Sequence, residues 1–331
     1  MSGWEENEVS AASQGGTEIT KRTLQSVLDP ELLKQFQIIP SRVRNLDIER
    51  IRIYHLHDLA EDPECNKLRD DNWRSQFHKF AFSSNWQMNE FVTKLDMPMD
   101  EKMIVLETPI VPFEVHEKPT DQINLIYFST PQRGLEILVP VFEELAKKHS
   151  NIHLHVHSSF LIYGWKELDD KYQPLYDVIR KHPQMTYHGF TTQEELRERL
   201  TQCHILAYPS TWKETSCRVL MESMSASLLC IHPNFGALPD TSGGLTSMYQ
   251  FLQDGNKHAN YFYQYLDHAI GVVLQEDIQK YLRFVKAYAD NRFQLTKIAA
   301  QWTHTLEDML RHYETIESRA LPARQFVYKT A

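Results

Sequence analysis

Short apolar runs alternate with longer amphipathic ones through the second half of the chain, and this alternation leaves few folds open. Runs at 124–128, 152–157, 185–188, 204–208 and 228–231 read as strands. Helical patterns fill the gaps at 134–148, 169–182, 193–202 and 216–226. In the first of these Leu135, Leu138, Val139, Phe142 and Leu145 recur at three- and four-residue spacing, which gives one buried face. Strands alternating with helices build a parallel sheet, so this half is predicted to be a doubly wound α/β domain. Ligands of such sheets bind beyond the carboxyl ends of the strands, where Arg133, Phe190 and Glu214 fall.

The first half reads as a smaller α/β unit, with strands near 36–40, 50–55, 79–83 and 102–106 and a helix near 86–95. Pro109, Pro112, Pro119 and neighbouring charges mark a linker. The predicted domains are 1–118, 119–290 and a terminal helical segment, 291–331. Within a helical stretch at 276–316, Trp302, Leu306, Met309, Leu310 and Tyr313 form one apolar stripe.

A chain of 331 residues, 42% hydrophobic and 24% charged, can bury a large core in two domains. Its formal charge of -9 and the lack of a long basic block argue against an electrostatic grip on nucleic acid or an anionic membrane. No run reaches the ~18 to 20 apolar residues of a membrane span, and residues 1–20 are polar, so a cytoplasmic protein without stable membrane insertion is expected. Cys65, Cys203, Cys217 and Cys230 are widely spaced, with no C-x-x-C pair, and reduced thiols are the default.

Glu214 and Glu222 stand eight positions apart on a strand–turn–helix segment running from Tyr208 through Arg218 to Ala226. A helix beginning just after Glu214 would aim its free N–H groups and positive dipole end at the turn, a place for an anion. Glu222 would then lie about two turns into a helix lined by Val219, Leu220, Met221 and Met224, where a carboxylate needs a partner such as a hydroxyl.

Here the sequence resembles the E-x7-E element of glycosyltransferases with the GT-B fold, in particular the retaining family-4 type. The block from Phe128 through Ser129, Thr130, Pro131, Gln132, Arg133 and Gly134 to Leu138 adds to the likeness, with Tyr187-His188-Gly189-Phe190 and Gly236-Ala237-Leu238-Pro239 in the family's order. The likeness is close over 122–245 and looser before it. A Gly15-Gly16-Thr17-Glu18 loop, the His57-Asp58 pair and the P-x-RGLEIL block are most similar to compact phage- or virus-type members, which would place the protein in a host-cell cytoplasm.

The resemblance implies two Rossmann-like domains facing a cleft, an abbreviated N-terminal domain and a C-terminal helix crossing back onto it. It implies a retaining, hexosyl-type transfer from a nucleotide diphosphate sugar, UDP-sugar by default, to a hydroxyl of a glycan, lipid-linked sugar or small molecule. The nucleotide sugar is a co-substrate, and neither a cofactor nor a metal is expected. Two other readings stay open: transfer to a modified DNA base, and a non-catalytic protein that binds a nucleotide sugar or carbohydrate.

By resemblance Arg133 meets the donor phosphate, Glu222 the ribose hydroxyls and Glu214 the donor sugar, while Thr215, Ser216 and Cys217 supply backbone N–H groups. Ser129 and Thr130 occupy a donor-binding turn where a Gly-Arg pair is common, which leaves Lys213 as a candidate second cation. Phe190 would flank the base, and Gly15 and Gly16 would bring backbone close to the phosphate or acceptor. His57 would bond a sugar hydroxyl or position the acceptor, its tautomer fixed by Asp58.

Each residue has a plainer reading beside that one. Arg133 is then a solvated arginine at a helix start, Glu214 a helix cap, Glu222 half of a surface ion pair, and His57 a polar rim residue. His153, His155 and His157 alternate on one strand, expected ~6 to 7 Å apart, which suits packing rather than one metal tetrahedron. Trp4, Trp73 and Trp86 read either as acceptor-stacking rings or as core.

Overall fold

The structure is a computed structural model, which describes residues 3–4 and 13–313. The chain forms two compact units: Met1–Glu8, Thr17–Pro109 and Thr296–Ala331 make the first, Val9–Gly16 and Ile110–Leu295 the second.

In the first unit β1 (Phe36–Pro40), β2 (Ile51–Leu56), β3 (Lys79–Phe82) and β4 (Met103–Val105) form a parallel sheet in chain order. β1 and β2 are buried along their whole length, as strands covered on both faces must be. The helix Asn85–Leu95 starts where Ser84 Oγ accepts from Gln87 N at 3.0 Å, and it ends at Asp96 in the left-handed region. Phe82 and Phe91 meet edge to face across this packing, with ring centroids 5.4 Å apart. The terminal helix Leu295–His312 lays Trp302, Leu306 and Met309 into the same unit. Trp302 packs 5.0 Å from Trp4 and 5.1 Å from His55.

The second unit carries β5 (Ile123–Phe128), β6 (Ile152–His157), β7 (Met185–Tyr187), β8 (Ile205–Ala207), β9 (Leu229–Pro233) and β10 (Ser247–Tyr249). All pairings are parallel, in the spatial order β10-β9-β8-β5-β6-β7. This is the doubly wound order of a dinucleotide-binding fold, as the alternating pattern predicts. Strand order reverses between β5 and β8, where the chain has wound outward once in each direction.

The helix Leu135–Lys148 buries Leu135, Leu138, Val139, Phe142 and Leu145, the stripe read from the sequence, and Val141 besides. Several elements have no counterpart in the sequence reading, among them the helices Gly16–Gln25, Leu238–Ser242 and Gly255–Val272 and the three-residue edge strand β10. The helical stretch expected over 276–316 is in fact two helices, Glu276–Phe293 and Leu295–His312. Gln294 turns extended between them because Ile110 pairs there, donating its N–H to Phe293 O at 2.8 Å and accepting from Leu295 N at 2.9 Å. No helix among the described residues is long and apolar enough to cross a membrane.

Candidate functional site

The crevice at a strand-order reversal is open because the helices on either side leave in opposite directions. Here the two turns that border it, after β5 and after β8, are pressed together. A Cβ on Gly134, whose φ is +110°, would lie 2.1 Å from Pro209 O, so only glycine admits the contact. Thr211 Oγ1 donates to Gln132 O at 3.0 Å and adds a second tie.

This contact brings together two residues far apart in sequence. Arg133 Nη1 lies 2.6 Å from Glu214 Oε1, and the same oxygen accepts from Tyr208 OH at 2.6 Å. Glu214 is 6% exposed, so its charge requires these donors. Gly236, with φ +60°, supports it from behind: a Cβ there would stand 2.6 Å from Glu214 N, and Ala237 N donates to Glu214 O at 2.8 Å. Burial alone would lower the pKa of Arg133, but the Glu214 carboxylate reverses the shift and raises it well above normal. Burial, and then Glu214, hold the Tyr208 phenol protonated, so it remains a donor.

Three polar atoms around the β5 turn are buried without a partner among the described residues: Thr130 Oγ1, Gln132 Oε1 and Arg133 Nε. Both of these side-chain bonds of Glu214 go to Oε1, so neither Arg133 nor Tyr208 engages Oε2. A fixed cation, a carboxylate oxygen and side-chain amide and hydroxyl groups therefore converge at one point of the sheet. Such a set suits a ligand that carries both an anionic group and hydroxyls.

The helix that follows does not begin just after Glu214. It runs Arg218–Ser225, with Cys217 extended at its N-cap. Residues 211–217 are used instead in the turns that seat Glu214 against Tyr208 and Gly236. Thr215, Ser216 and Cys217 thus precede the helix, and Cys217 is buried. Glu222 lies in the second turn rather than two turns further in, 3% exposed. Its Oε1 accepts from Arg218 Nε at 2.9 Å and lies 2.8 Å from Nη2, so it belongs to a buried pair rather than a surface one. Sequence reading missed Arg218 and Tyr208 as partners. The first is signalled by its four-residue spacing from Glu222.

Ser129 and Thr130 sit on the β5 turn, and Phe190 is half-buried in the turn after β7, at the same end of the sheet. Lys213 is half-buried in the β8 turn. The expected Gly15–Glu18 loop is instead a helix start: Gly15 precedes and Gly16 opens the helix Gly16–Gln25, and just before it Gln14 N donates to Ile162 O at 2.7 Å. Among the described residues, and apart from its own neighbours in the chain and helix, no atom lies within 4 Å of the position a Cβ would take on Gly16.

His57 stands at the end of β2 in the first unit, half-buried, its Nε2 3.2 Å from Nδ1 of His55. The two rings share a side, as alternation requires, with centroids 4.1 Å apart. Asp58 is linked instead to Ser41 and Arg42, and its Oδ2 has no partner among the described residues. Burial depresses His57 to about 4, so its ring is neutral near pH 7.

The histidines of β6 are packed more closely than expected: the rings of His153 and His155 are 4.9 Å apart, because side chains in a strand lean along it. Each has its own partner, His153 with Thr186 Oγ1 at 2.8 Å, His155 with His188 at 3.1 Å and His157 with Thr191 Oγ1 at 3.0 Å. Among the described residues no group of three or more His, Cys, Asp or Glu is arranged to hold a metal ion. All four cysteines are buried and free.

The fold is thus of the α/β type with parallel sheets, and its solved neighbours are GT-B glycosyltransferases. The sequence profile of the family described as "Glycosyl transferases group 1" matches residues 113–243, a stretch that lies within the second unit. Similar solved structures include Anabaena HepE in complex with UDP and glucose, at 16% identity and a TM-score of 0.62 over 88% of this chain and 81% of that one. A glycosyltransferase from Rickettsia africae is similar at 12% identity and a TM-score of 0.67 over 93% and 84%. Sucrose-phosphate synthase from Thermosynechococcus elongatus is similar at 12% identity and a TM-score of 0.60 over 89% and 78%. No curated protein matches in sequence.

Proposed function

We propose that the protein is a retaining glycosyltransferase that moves a hexosyl group from a nucleotide diphosphate sugar, UDP-sugar by preference, to a hydroxyl acceptor. The observation that carries this reading is the Arg133–Glu214–Tyr208 constellation at the strand-order reversal, with unpartnered polar atoms of Thr130, Gln132 and Arg133 around it. The family match over 113–243 and the UDP and glucose bound to the HepE neighbour support the choice of donor.

In this reading Arg133 faces the diphosphate, whose negative charge grows as the glycosidic bond breaks. A partly buried guanidinium held by Glu214 needs no reorganisation to meet that charge. Glu214 Oε2 accepts from a donor-sugar hydroxyl, and Glu222 from the ribose. The departing phosphate helps to deprotonate the acceptor on the same face of the sugar, which gives retention. Protein cations carry the charge, so transfer proceeds in the presence of a chelator.

The test is thermal unfolding against UDP, GDP, ADP and their sugars with EDTA present, followed by detection of transferred or hydrolysed sugar. Saturation at 100 times Kd stabilises by about 2.7 kcal/mol. Glu222→Gln is expected to weaken nucleotide binding, and Glu214→Gln to lower turnover with binding kept. Unchanged binding and turnover in both variants would remove the assignment. The pairing of Glu214 with Arg133 also fits a protein that binds a nucleotide sugar without turnover; a UDP-dependent shift with no sugar released from any donor would select it.

A further inference from the structure

Of the six tryptophans, Trp4 and Trp302 are 2% and 0% exposed and Trp73 and Trp86 are half-buried, so the stacking role considered for Trp4, Trp73 and Trp86 is not where the exposed rings are. The exposed ones are Trp165, at 48%, and Trp212, at 44%. Both lie on loops at the carboxyl end of the β5–β10 sheet, after β6 and after β8. Trp212 lies against Arg133, its ring centroid 5.5 Å from the guanidinium carbon. Tyr163 lies in the segment after β6, the strand next to β5 whose turn carries Arg133, and its ring is 5.2 Å from that of Trp165.

The loop holding Tyr163 and Trp165 is firmly built. Buried Asp169 accepts from Phe160 N at 3.0 Å, from Tyr176 OH at 2.9 Å and from Ser159 Oγ, and Trp165 N donates to Phe160 O at 3.2 Å. Exposing large rings on a preformed loop brings no folding benefit, and ordering it costs nothing further when a ligand arrives.

We propose that Tyr163, Trp165 and Trp212 form an aromatic platform beside Arg133 that binds a carbohydrate, making the acceptor a pyranose-containing glycan. This rests on the glycosyltransferase reading and names the substrate class of the same site. A pyranose offers one face of C–H groups to the negative face of an aromatic ring and hydroxyls at its rim for charged groups. Flat rings with few rotatable bonds hold such a face at low entropic cost.

The charges interleaved with the rings favour a glycan over the other occupants of an aromatic surface. Exposed Glu167 and Asp170 would be drawn into the headgroups if the loop entered a membrane. Exposed Lys166 and Lys171 flank these carboxylates, so the loop offers nucleic-acid phosphates no net positive charge, and the chain as a whole carries a formal charge of -9.

The test is a fluorescence titration of the full chain, with and without UDP, using maltotriose, cellotriose and chitotriose. Anionic phosphatidylglycerol vesicles and a single-stranded oligonucleotide serve as the other probes. Binding of a trisaccharide is expected, weakened about three- to tenfold in Trp165→Ala and largely restored in Trp165→Phe, with the UDP-induced thermal shift unchanged. Absence of trisaccharide binding while UDP still stabilises the protein overturns the platform and leaves the donor site standing. So does binding that is indifferent to Trp165→Ala, or capture by vesicles or oligonucleotide alone. Loss of UDP stabilisation instead counts against the donor site. Trisaccharide binding that still depends on Trp165 then upholds the platform.

Discussion

Glu214 shows how single residues at the strand-order reversal depend on one another. Its carboxylate is buried against Arg133 and Tyr208, so removing either donor leaves charge without its hydrogen bonds. Arg133→Ala is expected to destabilise by about 3 to 5 kcal/mol, because it strands a buried charge. Tyr208→Phe, which removes one bond to a charged acceptor, should cost about 1.5 to 3 kcal/mol. Denaturant unfolding orders the two, and a smaller effect for Arg133→Ala than for Tyr208→Phe would contradict this account. Gly236→Ala places a Cβ against the Glu214 backbone at φ +60°, so a loss of about 1 to 3 kcal/mol and a displaced Glu214 are expected. Reduced UDP affinity in a variant that still folds would report that displacement.

Among the elements, β6 carries three histidines, each with its pKa lowered chiefly by burial. Burial is the main cause that depresses His155 and His157 to about 3, with Arg199 and His188 adding to the effect at both, His153 at His155, and His155 at His157. The unfolded chain binds protons at these rings near pH 6.5, which the folded chain resists, so low pH favours unfolding. Their contribution is complete above about pH 6.5 and is lost as pH falls toward 3. Each ring makes stability fall by up to about 1.4 kcal/mol per pH unit in that window. The measurement is the melting temperature from pH 7 to pH 4 for the natural chain and for His155→Gln. A flatter profile for the variant is expected, and parallel profiles would count against the ring.

For the whole molecule, each of the two compact units has its own buried core. Trp302 belongs to the last helix but is buried in the first unit, against Trp4 and His55. Trp302→Ala should therefore cost about 3 to 5 kcal/mol through the cavity it leaves. Hydrogen exchange is expected to quicken in β1 to β3 and to stay slow in β5, β6 and β8. Equal quickening in both sheets would show that the ring supports the whole chain rather than its own unit.

Local spacing was enough to read the parallel α/β character, the β5–β9 strands within a residue or two, the Leu135–Lys148 helix and the carboxyl-end position of Arg133, Glu214 and Phe190. Those features follow from periods of two and 3.6 residues, set by near neighbours. The tertiary structure alone decided which groups meet. Arg133 and Glu214 are 81 positions apart and touch because Gly134 lets two turns close on each other. The helix start at Arg218, the break at Gln294 and the burial of Trp4 depend likewise on distant partners, namely Tyr208 with Gly236, Ile110, and Trp302. Hydrogen bonding and close packing act through space, and local periodicity carries no record of the distant residue that will supply them.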